Sequence, residues 1–122
     1  MRATVLVIDD EPFILKAISN ILSADYDVTC EASSAAALDR FRKGERFDLV
    51  LCDLMMPNVT GIDVYDALLE IAPKQARAML FLTGGAFTAR THAFVERMPH
   101  SMIEKPFSHA TLLARVREVL GR

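Results

Sequence analysis

The sequence predicts an α/β fold, a doubly wound five-stranded parallel sheet flanked by five helices. Three observations predict it. Short apolar, β-branched runs alternate along the chain with stretches whose apolar residues recur at helical spacing. The strand-like runs are largely apolar without a break, as in a sheet covered by helices on both faces. Four of these runs end in polar residues: Asp9-Asp10, Asp53, Thr83 and Lys105.

The elements follow in order. Thr4–Ile8 is a short strand ended by Asp9, Asp10, Glu11 and Pro12. Pro12 suits the first turn of a helix, where a missing N–H costs nothing, and Ile14, Ala17, Ile18, Ile21 and Leu22 form its inner stripe. Asp27–Glu31 is a brief second strand. Ser33 or Ser34 can cap a helix that buries Ala37, Leu38 and Phe41, with Gly44 as its stop. Phe47–Cys52 is the third strand and runs into Asp53. After the loop Leu54–Thr60, a helix turns Ile62, Tyr65, Leu68, Leu69 and Ala72 inward and stops before Pro73. Ala78–Leu82 is the fourth strand, a helix lies within Phe87–Arg97, and Ser101–Glu104 is the fifth strand. The last helix, capped by Ser108, buries Leu112, Leu113, Val116, Val119 and Leu120. A single domain over residues 1–122 is expected.

Composition narrows the function. The net charge is −2 with 14 Lys and Arg against 16 Asp and Glu, and the arginines are spread among acids. Phosphate-backbone binding needs clustered cations, so direct nucleic-acid binding is not expected. Cys30 and Cys52 fit no metal or redox spacing and read as small buried hydrophobes. No stretch approaches the ~18 apolar residues of a membrane span. Met1-Arg2-Ala3 leads straight into a strand, unlike a signal peptide, and a cytoplasmic protein without membrane contact is expected.

In a doubly wound sheet, ligands bind beyond the carboxyl ends of the strands. Asp9, Asp10, Asp53, Thr83 and Lys105 should therefore share one rim. Singly, each has an ordinary reading, such as a turn residue or an acid complementing a helix dipole. Together they are chemically complementary. Crowded carboxylates repel, and a divalent cation relieves the repulsion. Hard oxygen donors without Cys or His point to Mg²⁺. One carboxylate can then attack phosphorus to give an acyl phosphate, while the Lys105 ammonium and the Thr83 hydroxyl cover phosphoryl oxygens.

These motifs carry a family resemblance. Val5-Leu6-Val7-Ile8 runs into Asp9-Asp10, and Asp53-Leu54-Met55-Met56-Pro57-Asn58-Val59-Thr60-Gly61 has Pro four and Gly eight residues after its Asp. With Thr83 and Lys105-Pro106-Phe107, the chain resembles a bacterial two-component receiver domain, similar to the single-domain chemotaxis response regulators, over essentially its whole length. The resemblance implies a flavodoxin-like sheet of order 2-1-3-4-5. It implies phosphorylation of Asp53 by a histidine kinase or a histidine phosphotransfer domain, with Mg²⁺ or Mn²⁺ as cofactor. Asp10 and Asp53 would bind the metal by carboxylates, Met55 by its backbone carbonyl, and Asp9 through water. Thr83 would move toward the phosphoryl group and Lys105 would pair with it. The Lys105-Pro106 peptide would be cis. The family's usual homodimer face lies around the last two helices.

One position departs from the family. An aromatic switch residue usually stands three positions before the lysine, and here that residue is Met102, which has no hydroxyl to anchor. Gly84 after Thr83 leaves the site open to water. The stretch Phe81–Thr88 and the Glu104-Lys105-Pro106-Phe107 ending look like receivers of hybrid sensor histidine kinases, which makes a module of a larger kinase an alternative to a free-standing chain.

Three rival functions each lack a feature they require. A degenerate receiver serving as a phosphorylation-independent interaction module would have lost an acid, Thr83 or Lys105, and none is lost. An aspartate-nucleophile phosphatase would carry Asp-x-Asp after the first strand, where this chain has Asp9-Asp10-Glu11. A flavin phosphate would be repelled by the acids. His92, His100 and His109 lack the context of a phosphodonor histidine, so the chain is expected to receive phosphate and not to act as an enzyme on other molecules.

Overall fold

The computed structural model describes residues 2–85 and 88–121. Strand β1 is Thr4–Ile8, β2 Asp27–Glu31, β3 Leu49–Asp53, β4 Met79–Thr83 and β5 Met102–Glu104. Helix α1 is Pro12–Leu22, α2 Ser34–Arg42, α3 Gly61–Ile71, α4 Pro73–Arg77, α5 Ala89–Arg97 and α6 His109–Leu120, with a 3₁₀ turn at Pro99–Ser101. All strand pairings are parallel and the order is β2-β1-β3-β4-β5. Every strand therefore points its carboxyl end to the same edge.

The pleat sends alternate side chains to opposite faces. Leu6, Ile8, Val50, Cys52 and Phe81 face α2, α3 and α5, where Phe41, Leu68 and Phe94 meet them. Val5, Val7, Leu49, Leu51, Leu80 and Leu82 face α1 and α6, where Ile18, Leu22, Leu112 and Val116 complete a second core. Both faces of β3 and β4 are consequently buried along their whole length. This accounts for the unbroken apolar runs.

Local signals place the helix ends. Ser33, and not Ser34, caps α2 by accepting from Ala36 N–H. Ser34 is buried and donates instead to the Val59 carbonyl at 3.1 Å. Gly44 follows α2 with φ +99°, a left-handed conformation that glycine adopts without a Cβ penalty. Ser108 caps α6. Thr60 and Asp63 form a reciprocal capping box on α3.

Several expectations are corrected. Pro73 ends α3 but also starts a further helix, α4, because proline fits a first helical position. The sheet pairing begins at Leu49, Met79 and Met102, one or two residues later than the apolar runs. Leu69 is exposed: it sits about 100° around the helix from Leu68, and Leu68 takes the inward position. Val119 is exposed in the last turn of α6, beyond Val116, that helix's last fully buried residue. Cys52 is buried as expected, but Cys30 is exposed because β2 is an edge strand paired on one side. Ala86 and Phe87, which carry part of the kinase-like resemblance and of the expected fourth helix, lie outside the described residues.

Candidate functional site

The sheet delivers the acids and the lysine to one rim. The Asp9 N–H still bonds the Glu31 carbonyl at 3.2 Å, so Asp9 is held by the end of the β1–β2 ladder. Its side chain is fully buried. One Asp9 oxygen accepts from Glu11 N–H at 2.9 Å and the other from Lys105 Nζ at 3.0 Å. Asp53 closes β3 and is 5% exposed. Its Oδ1 lies 3.4 Å from Lys105 Nζ. Asp10 is exposed, and one oxygen from each of Asp9, Asp10 and Asp53 falls within 4.8 Å of the others. Lys105 directly follows β5, and its N–H bonds the Thr83 carbonyl at 2.6 Å.

Electrostatics follow from this geometry. Burial, and then the neighbouring Asp9 charge, push the Asp53 carboxyl above its ordinary value; Lys105 and the Met55 N–H pull partly the other way. Burial alone would lower the Lys105 ammonium, yet its bond to Asp9 and the charge of Asp53 hold it above the ordinary lysine value. One lysine thus serves two buried carboxylates while Asp10 adds a third. That donor set, hard oxygens in excess of local positive charge, fits a small divalent cation.

Thr83 ends β4 and is buried, and its hydroxyl has no hydrogen-bond partner. A buried hydroxyl left unpaired costs free energy, so it is suited to an acceptor that arrives with a ligand. In the β3–β4 register Asp53 is opposite Leu82, so Thr83 stands one residue beyond it on the adjacent strand. Met102 is 8% exposed, packs in the core with Phe81 and Phe94, and lines a cavity together with Thr83, Gly84 and Lys105. The Lys105-Pro106 peptide is cis.

Gly61 owes its identity to close approach. A Cβ on Gly61 would lie 2.5 Å from the Asp53 carbonyl oxygen and 2.8 Å from Leu54 Cα. The start of α3 therefore rests on the backbone that presents Asp53. Gly84 is exposed, and a Cβ there would meet Lys105 Cβ at 3.1 Å. The sequence marks Gly61 by its spacing from Asp53, whereas its role emerges from the packing. Residues that sequence reasoning missed are Glu11, whose carboxylate lies 4.0 Å from Lys105 Nζ, and Thr91, whose hydroxyl donates to Met55 Sδ at 3.4 Å. Thr91 carries no sequence signal, because the contact joins residues 36 apart.

The comparisons with known proteins agree with this geometry. Residues 5–117 match the family model of the response regulator receiver domain. The chain is 32% identical, over all of its length and 52% of the relative's, to the DNA-binding response regulator MtrA of Mycolicibacterium smegmatis. It is 35% identical, over 99% of its length and 49% of the relative's, to the probable transcriptional regulator ycf27 of Porphyridium aerugineum. It thus spans about half the length of the curated relatives it matches. Among solved structures, the Vibrio cholerae chemotaxis protein CheY4 superposes with a TM-score of 0.80 at 28% identity, over 98% of this chain and 100% of that one. A parallel sheet of order 2-1-3-4-5, a rim of acids facing a lysine, and a family match across most of the sequence converge: the chain belongs to the response regulator receiver domain family.

Proposed function

We propose that this chain is a phosphoacceptor of a two-component phosphorelay, taking a phosphoryl group from a phosphohistidine donor onto Asp53. The observation that carries the reading is the shared lysine: Nζ of Lys105 lies 3.0 Å from Asp9 and 3.4 Å from Asp53. An Asp53 oxygen attacks phosphorus, the P–N bond of the donor breaks, and the nitrogen keeps the electron pair. The product is an acyl phosphate; water later attacks phosphorus, the bond to the Asp53 oxygen breaks, and inorganic phosphate leaves with Asp53 again a carboxylate. On this reading Lys105 pairs with the transferred group, and the Thr83 hydroxyl donates to it. Asp10, Asp53 and the Met55 carbonyl are the residues to hold Mg²⁺ or Mn²⁺, with Asp9 acting through water. The ion supplies positive charge against the phosphoryl oxygens.

The partner on this reading is a histidine kinase or a histidine phosphotransfer domain in the cytoplasm. The chain's chemistry is confined to its own phosphorylation and dephosphorylation. No helix among the described residues is long and apolar enough to cross a membrane. Direct DNA contact is no part of this reading; the name of the mycobacterial relative gives DNA binding to that protein. Hybrid-kinase membership and homodimerisation around α5 and α6 are parts of the same proposal.

The test is Mg²⁺-dependent uptake of a phosphoryl group, or of beryllofluoride, by wild type and Asp53→Asn. Uptake by wild type alone is expected. Equal uptake by both would overturn the reading.

A further inference from the structure

Resting on the phosphoacceptor reading, we infer that helix α5 is coupled to Asp53 through its own first turn, by the Thr91–Met55 and Arg90–Asp63 contacts, and not through residue 102. Met55 lies two residues past Asp53, lines the same cavity, and its backbone is among the groups that favour the ionised Asp53 carboxylate. A group added to Asp53 therefore acts on the backbone that carries the Met55 side chain. That side chain reaches α5: its sulfur accepts from the Thr91 hydroxyl at 3.4 Å. Thr91 is 5% exposed, and its hydroxyl is 3.0 Å from that of Thr88, the N-cap of α5. With the Thr88 hydroxyl donating to Thr91, a hydrogen-bonded chain runs from the start of α5 to the acceptor segment.

A second tether lies beside it. Arg90 Nη2 meets the Asp63 carboxylate at 2.9 Å and the Asp66 carboxylate at 3.5 Å. The other Asp63 oxygen accepts from Thr60 N–H at 2.9 Å, in the capping box that opens α3. Arg90 is thus joined to the residues directly after the Asp53 loop. The position usually occupied by a switch residue has different attachments. The Met102 carbonyl accepts from Arg115 of α6 at 2.6 Å, and its thioether offers no donor. The Met102 backbone is bound to α6 and its side chain makes only apolar contact on the α5 side of the sheet, whereas residues 90 and 91 make polar contacts from α5 to the acceptor segment. Exposed ion pairs contribute little energy, but two contacts on one helical turn can set where that turn sits. Coupling is reciprocal, so loosening the turn should also change ligand affinity at Asp53.

The experiment uses ¹⁵N-labelled full chain with Mg²⁺ and beryllofluoride. Fluorine resonances report occupancy of Asp53, and amide shifts of residues 88–97 report the response of α5. Wild type should show both. Thr91→Val combined with Arg90→Gln should keep the bound fluoride signal while the α5 shifts fall to less than half. Thr91→Ser, which retains the hydroxyl, should restore the part lost in Thr91→Val, and Met102→Ala should leave the shifts in place. Undiminished α5 shifts in the double variant, or their loss in Met102→Ala, would overturn the inference. No bound fluoride in wild type would overturn the phosphoacceptor reading and this inference with it.

Discussion

At the residue scale, the site is governed by how closely backbone and charge are packed around Asp53. Gly61 is the sharpest case. A methyl group there would sit 2.5 Å from the Asp53 carbonyl oxygen, so either the start of α3 or the end of β3 must move. Gly61→Ala should cost about 1–3 kcal/mol, the usual range for overpacking, read as a lower urea midpoint with an unchanged slope. It should also weaken beryllofluoride binding, because the shifted backbone carries the acceptor. Thr83 behaves differently. Its hydroxyl is buried without a partner, so Thr83→Val should be nearly neutral or slightly stabilising in the free protein. The same change should shorten the residence of beryllofluoride at Asp53, measured by exchange of the bound fluoride signal.

At the scale of the elements, α4 is the feature that periodicity did not reveal. Five residues are too few to show a repeat, and the preceding helix ends where this one begins. What holds α4 is Gln75. Its side chain accepts from Phe47 N–H and donates to the Phe47 carbonyl, both at 2.8 Å, standing in for a strand partner just before β3. Gln75 is 6% exposed. Gln75→Leu removes both bonds and leaves two backbone groups short of partners, for an expected loss of about 2 kcal/mol. Denaturant unfolding measures it, and no change would show that water replaces the side chain. By contrast, α1, α2, α3 and α6 were legible from their apolar stripes and caps. Leu69 and Val119 were misplaced because apolar character alone does not say how far a neighbouring layer extends.

For the whole molecule, the acidic rim opposes folding in the ligand-free state. Asp53 faces Asp9 and Asp10 as well as Lys105, and its folded pKa is raised above the ordinary 3.8. The fold therefore prefers the protonated carboxyl. That preference is fully present below the unfolded value and is lost as pH rises through the folded one, so ionised Asp53 costs stability at neutral pH. Asp53→Asn should raise the thermal midpoint at pH 7 by roughly 2–5 °C, in line with about 1 kcal/mol for a domain of this size. The gain should shrink as pH falls toward 4. Mg²⁺ should stabilise wild type by mass action, about 2.7 kcal/mol at 100 times its Kd, and should act weakly on Asp53→Asn. Scanning calorimetry with and without Mg²⁺ checks both statements. Stability of Asp53→Asn below that of wild type at pH 7 would contradict them.

The sequence by itself determined the strands, the polar residues that end them and the order of the chain's motifs. Continuous apolar runs and terminal acids are local signals that survive without a structure. It also located Asp9, Asp10, Asp53, Thr83 and Lys105, since a parallel sheet brings every strand's carboxyl end to one edge. Tertiary structure decided what those residues touch. The sharing of one lysine by Asp9 and Asp53 spans 96 and 52 residues of chain, and no periodicity encodes it. The unpaired Thr83 hydroxyl, the exposure of Cys30 on an edge strand and the bond between Thr91 and Met55 likewise depend on which elements become neighbours. Local pattern follows from each residue's own chemistry, whereas contact follows from how the layers pack, and the coupling of Asp53 to α5 belongs to the second kind.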